Sequence, residues 1–146
     1  MNNRIEKSIE LKASVDRVWK ALSDSKEFGQ WFKATFEGPF EVGRVVVARM
    51  TMPGFEHHRF QVDVKALEAP HRFAFEWRSV PAQVSDQPSD APTMVEFTVA
   101  ARGTGSVVTV VETGFERLPL DKRLEAYRDN DEGWGIQLGN LAAYVA

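Results

Sequence analysis

The last third of the chain restricts the fold more than any other segment. Val107 to Phe115 carries β-branched residues on both alternations and closes in Glu112-Thr113-Gly114-Phe115, as a final strand would. After a polar stretch, Trp134, Leu138, Leu141 and Val145 fall at +4, +7 and +11, the spacing of one helical stripe. Such a helix is stable only when its stripe packs on another apolar surface, here the strands before it. A helix laid across a curved sheet encloses a space, and that space is the expected functional site.

The segments before it supply the sheet. Residues 4–11 read as a strand with Ile5, Ile9 and Leu11 on one side. Ser14 is a good N-cap, and Val15, Val18, Trp19 and Leu22 repeat at i, i+3, i+4 and i+7, so a helix follows. Ser23-Asp24-Ser25 ends it and starts a second short helix through Phe28 to Trp31-Phe32. From Phe36 onward the pattern is that of strands. A turn at residues 40–43 precedes a strand over 44–52, and Pro53-Gly54 turns the chain again. Residues 58–67 place Phe60, Val62 and Val64 on one face and Arg59, Gln61, Asp63 and Lys65 on the other, an antiparallel strand with one wet side.

Phe73, Phe75 and Trp77 form one face of the next strand, and Val95, Phe97 and Val99 one face of another. Gly103 to Gly105 is a hairpin connection. Residues 79–92 lack periodicity and hold three prolines, which predicts a long surface loop and a lid over the pocket entrance. Pro119 to Asp131 reads as a charged connector, helical at most around Leu124 to Tyr127. The order is thus strand, two short helices, about six antiparallel strands and a closing helix, an α+β domain with a meander as its simplest topology. With 146 residues and no internal repeat, a single domain over 1–146 is expected.

Composition excludes several functions. The formal charge is -3 and the basic residues are scattered singly among acidic ones, which argues against a nucleic-acid partner. The absence of cysteine removes disulfides, thiolate metal sites and a thiol nucleophile, and fits a reducing, cytoplasmic setting. No run approaches the roughly 20 apolar residues of a membrane span, and residues 1–11 have no signal-peptide core, so membrane insertion is not expected.

Among candidate site residues Glu112 is the sharpest. If Val108 and Val110 face the helix, Glu112 shares their side and points into the space; the opposite parity, or a pair with Arg78 or Arg49, would make it structural. A buried carboxylate there would act as a general acid or base, or hold a ligand amine or hydroxyl. Phe60, Phe75, Trp77, Phe97 and Trp134 lie on faces aimed at the gap, as does Leu138, and are the expected apolar lining unless their side chains fill the gap entirely. Tyr127 is a second group for the polar end of a ligand. His57 and His58 are adjacent in sequence and His71 sits in another turn, so no metal site is expected, and Gly103-Thr104-Gly105 lacks the glycine and helix of a phosphate cradle.

Val15-Asp16-Arg17-Val18-Trp19-Lys20-Ala21-Leu22-Ser23-Asp24 resembles the opening helix of the START-like, helix-grip superfamily, also called SRPBCC or Bet v 1-like. Trp31-Phe32, Phe75-Glu76-Trp77, Glu112-Thr113-Gly114-Phe115 and Gly133-Trp134 with Leu138 and Leu141 resemble its branch of heat-shock-protein-90 ATPase activator homologues. The resemblance covers about residues 4 to 145. It implies a curved antiparallel sheet of six or seven strands gripping a long carboxy-terminal helix, with a hydrophobic pocket between them. It implies a protein, monomeric or homodimeric, that binds a small apolar or amphipathic molecule without a cofactor, or else one that regulates a chaperone ATPase, or a cyclase or dehydratase. Members of that branch often carry a histidine shortly before the Gly-Trp pair, where this chain has Asn130-Asp131-Glu132. That departure favours binding over catalysis.

Overall fold

The computed structural model describes residues 4–79 and 91–146. Its strands are β1 (Ile5–Leu11), β2 (Ala34–Phe36), β3 (Val45–Met50), β4 (Arg59–Glu68), β5 (Arg72–Ser79), β6 (Thr93–Arg102) and β7 (Gly105–Thr113). Its helices are α1 (Val15–Ser23), α2 (Ser25–Phe32) and α3 (Leu120–Val145), with a 3-10 turn at Phe115–Arg117. The strands form one antiparallel sheet in the order β1-β7-β6-β5-β4-β3-β2. Strands β2 to β7 are therefore a meander, and β1 returns to the far edge beside β7. The sheet curves around the helices, which is the helix-grip arrangement.

Local chemistry sets the helix boundaries. The Ser14 side chain accepts from the Arg17 backbone N–H and starts α1. Asp24 terminates α1 and caps α2, its carboxylate accepting from the backbone N–H of Lys26 and Glu27. Lys33, at φ 67°, stops α2 and redirects the chain into β2. This three-residue strand, paired Ala34 to Met50 and Thr35 to Arg49, is too short to show an alternation, and the sequence reading began its strands two residues later.

The inner face of the sheet buries Val62, Val64, Phe73, Phe75, Phe97 and Val110 against Val18 and Leu22 of α1, Phe28 and Trp31 of α2, and Leu138 and Leu141 of α3. Phe28 is the hub of this core. Its ring lies 4.5 Å from Trp31, 5.6 Å from Phe40, 6.0 Å from Phe97 and 6.5 Å from Phe75. Arg17, Glu27 and Tyr144 tie the three helices together. The Arg17 Nη1 donates to Glu27 Oε1 at 2.7 Å, the Tyr144 hydroxyl donates to the same oxygen at 3.0 Å, and the Arg17 guanidinium lies 5.1 Å from the Tyr144 ring centroid.

The main correction to the sequence reading concerns the stretch expected to be a connector. Helix α3 runs unbroken for 26 residues from Leu120, so most of that stretch is helical. Its first turns are mostly charged and leave Leu120 and Leu124 exposed, so they show little of an apolar period. They are held at isolated points instead. Tyr127 packs edge-on to Phe115 at 5.4 Å and donates its hydroxyl to the Arg4 carbonyl at 3.0 Å. The Arg123 Nη2 donates to the carbonyls of Glu116 and Leu118 at 2.8 and 3.1 Å.

Candidate functional site: a cavity floored by a buried carboxylate

Strand β7 alternates with Val108, Val110 and Glu112 facing inward, so Glu112 points toward α3 and is 0% exposed. Its Oε1 accepts from the Trp134 indole N–H at 2.8 Å, and its Oε2 accepts from the Thr93 hydroxyl at 2.6 Å and the Trp77 indole N–H at 3.0 Å. The Asn130 amide donates to both oxygens, at 3.1 and 3.0 Å. All four partners are neutral. Indole and amide N–H groups can only donate, so an ionised carboxylate, which only accepts, matches the whole set.

The elements explain why these groups converge. Cross-strand pairing sets Trp77 opposite Thr93, and Val95 opposite Glu112, which brings the open ends of β5, β6 and β7 together. Asn130 and Trp134 are four residues apart on α3, hence on one face. The two indoles stack at 5.4 Å and 19°, with both N–H edges on the same carboxylate. Gly114, at φ 99°, lets the chain leave β7 directly into the 3-10 turn. Neither Arg78 nor Arg49 reaches Glu112: by alternation both lie on the outer face, opposite Gln61 and Arg59 respectively.

Above this cluster lies a half-open cavity of about 430 Å³. Phe32, Phe60, Trp77, Phe115 and Leu118 form its apolar walls, Met50, Met52, Phe55 and His58 one side of its mouth, and Ala126, Asp129 and Asn130 of α3 the other. A smaller recess of about 160 Å³ adjoins it, sharing Phe32, Trp77, Asp129 and Asn130 and adding Gly133, Trp134 and Gln137. Phe55 is 54% exposed, unusual for a ring in a turn, and faces this opening. His58 stacks on Phe60 at 6.1 Å; partial burial, and then the neighbouring His57, lower its pKa from the ordinary imidazole value.

The residues selected from sequence separate into three groups. Phe60 and Trp77 line the main cavity and Trp134 the recess, while Glu112 lies beneath both, reached through Trp77, Thr93 and Asn130. Phe75, Phe97 and Leu138 sit in the close-packed core around Phe28 and α2 and line neither space. Tyr127 lies on the β1 side of α3, its hydroxyl already donated to Arg4. The lid expected over residues 79–92 falls almost wholly outside the described residues.

Sequence reasoning missed Thr93, Asn130 and the methionine side of the mouth. Asn130 carried a signal, being one turn before Trp134. So did Met52 and Phe55, apolar residues flanking Pro53-Gly54 where a solvent turn would be polar. Among the described residues, no three His, Cys, Asp or Glu side chains are grouped to hold a metal ion, and no helix is long and apolar enough to cross a membrane.

Comparison with known proteins places the fold and the family. Protein Ms6760 from Mycobacterium smegmatis superposes with a TM-score of 0.82 at 18% identity, over 99% of this chain and 91% of that one. DynU16, a protein in the dynemicin biosynthetic locus, gives 0.78 at 21% identity over 99% of this chain, which spans about half (47%) of DynU16. The Aha1 dimer from Colwellia psychrerythraea gives 0.71 at 16% identity, with 97% and 95% covered. At these identities the likeness is one of fold. No curated protein matches the sequence significantly. The family model described as Activator of Hsp90 ATPase homolog 1-like protein matches residues 12–146, nearly the whole chain, and the protein belongs to that family, within the START-like helix-grip superfamily.

Proposed function

We propose that the protein binds a small apolar or amphipathic molecule in the cavity between the sheet and the first half of α3. One observation carries this reading: a half-open space of about 430 Å³ with aromatic and thioether walls and a few polar groups at one end. That volume lies within the range of small-molecule sites, and the mixture of apolar wall with few polar groups is their usual chemistry. The ligand-contacting residues are Phe32, Met50, Phe60, Trp77, Thr93 and Asn130, with Trp134 and Glu112 holding the floor in shape. The fold's presence in a natural-product biosynthetic locus, that of DynU16, fits a small-molecule role.

The reading favours binding over acid–base catalysis, because both oxygens of Glu112 already accept hydrogen bonds and the carboxylate does not line the cavity. Regulation of a chaperone ATPase is the second reading, favoured by the family's description and not by any feature of the cavity. Native mass spectrometry of the purified protein, with a thermal-shift screen of lipids, aromatic compounds and sterols, tests the first. A co-purified molecule, or stabilisation that Phe60→Ala abolishes in a still-folded protein, is the expected result. No stabilisation by any ligand, together with specific binding to the chaperone, overturns it.

A further inference from the structure

The hydrogen-bond inventory of the floor restricts what the cavity can hold. Glu112 consumes donors. The Asn130 amide nitrogen faces both its oxygens, which fixes the orientation of that side chain and turns Oδ1 away from the carboxylate. The Thr93 proton is given to Glu112, and its oxygen, which also accepts from the Trp77 indole N–H at 3.0 Å, keeps one lone pair. The two indole N–H groups are likewise engaged. What these lining residues retain for a ligand is therefore acceptor character: Asn130 Oδ1, Thr93 Oγ1 and, beside them, the Asp129 carboxylate, which has no ion-pair partner among the described residues.

Charge points the same way. Glu112 is a fully buried carboxylate whose partners are all neutral, so its negative charge is dispersed by hydrogen bonds but not cancelled. Asp129 adds a negative charge on the lining itself, above the buried one. One cation, Arg78, also lines the cavity, from a β5 position whose parity is that of the outer face. His58 at the mouth has its pKa lowered, so it is mostly neutral near pH 7.

Resting on the binding function proposed above, we infer that the cavity selects ligands whose polar end donates hydrogen bonds and is not anionic, a protonated amine above all, lodged between Asn130 Oδ1, Thr93 Oγ1 and the Asp129 carboxylate. An ammonium group supplies three donors to three acceptors and offsets the buried charge. An alcohol supplies one donor. A carboxylate or phosphate head meets lone pairs and like charge, an arrangement that costs affinity.

The test uses two matched series below their aggregation limits at pH 7: dodecylamine, dodecanol and dodecanoate, and 2-naphthylmethylamine, 2-naphthylmethanol and 2-naphthoate. Binding is read by calorimetry and by quenching of tryptophan fluorescence. Within a series, the amine is expected to bind at least about tenfold more tightly than the carboxylate, with the alcohol between, since a tenfold change is the effect of one modest charged contact. Asp129→Asn is expected to weaken the amine several-fold and leave the alcohol unchanged. Equal affinity across a series, or tighter binding of the carboxylate, overturns the inference while leaving an apolar binding site in place. Binding by no member of either series overturns the proposed function, and this inference with it.

Discussion

Replacing Glu112 with alanine removes the acceptor on which four side chains converge, and the structure lets the consequence be worked out donor by donor. Trp77 loses least, because its N–H also lies 3.0 Å from Thr93 Oγ1 and keeps that acceptor. Trp134, Asn130 and the Thr93 hydroxyl lose the acceptor that each now has, in a site where Trp134 is 2% exposed. Three stranded donors at roughly 1–3 kcal/mol each would total about 3–9 kcal/mol. Two effects offset part of this. The desolvation of an ion without a counter-ion disappears, and water can enter the vacated space from the adjoining cavity. The expected loss is about 3–5 kcal/mol, comparable with breaking a buried ion pair from one side.

Glutamine at 112 keeps the shape and one acceptor. With its oxygen toward Trp134 and its amide toward Thr93, which can reverse its hydroxyl to accept, it should lose only about 1–3 kcal/mol. Urea unfolding followed by tryptophan fluorescence measures both variants. The reasoning requires the order wild type, glutamine, alanine. An alanine variant within about 1 kcal/mol of wild type would refute it, since stranded buried donors cannot be that cheap.

Three other outcomes follow from separate parts of the molecule. Gly135 is exposed in the middle of α3 and a Cβ there meets nothing within 4 Å, so Gly135→Ala should stabilise by about 0.5–1 kcal/mol and raise the melting temperature. Tyr144→Phe deletes the 3.0 Å hydrogen bond to Glu27 while sparing the ring under Arg17, and should cost about 0.5–1.5 kcal/mol in the same unfolding assay. His58 has a lowered pKa in the folded protein, so its contribution to stability is complete above the unfolded value of about 6.5 and is lost as pH falls through the lower folded value. His58→Gln should therefore flatten the acid side of the stability profile between neutral pH and pH 5, and an unchanged slope would argue against that contribution.

Most strands were legible because each has one wet face: Phe60, Val62 and Val64 against Arg59, Gln61 and Asp63 could be sorted without knowing any partner. The start of α3 was not, since Leu120 and Leu124 stay exposed among Asp121, Lys122, Arg123 and Glu125 and the helix is anchored by single contacts to Phe115, Leu118 and Arg4. The inward face of Glu112 followed from parity with Val108 and Val110. Its partners did not, because Thr93 and Trp77 arrive through cross-strand register and no local pattern encodes register. The same limit explains Phe75 and Phe97. They share Trp77's parity or face, yet Phe28 in the middle of α2 packs over them, whereas Trp77 meets the last residue of α2, Phe32, and the placement of α2 separates core from cavity.

A core with eight buried phenylalanines would be expected to close over any apolar gap, so the persistence of a cavity needs a cause. The polar frame supplies one. Trp77 and Trp134 are the rings best placed to swing inward and fill the space, and each is held by its N–H to a carboxylate that is itself fixed by Thr93 and Asn130. Turning either indole would strand its N–H and expose Glu112 to the other donors unevenly, a cost comparable with the gain from burying one more aromatic face. The stacked pair therefore stays upright between the larger cavity and the smaller recess, forming a wall of each. Asn130 takes part in this frame as a neutral donor to both carboxylate oxygens. In this chain every side chain that holds the buried carboxylate is a neutral donor with its proton committed to it, so the frame holds a shape and leaves no free acid or base beside Glu112, which suits the proposed binding function better than acid–base chemistry.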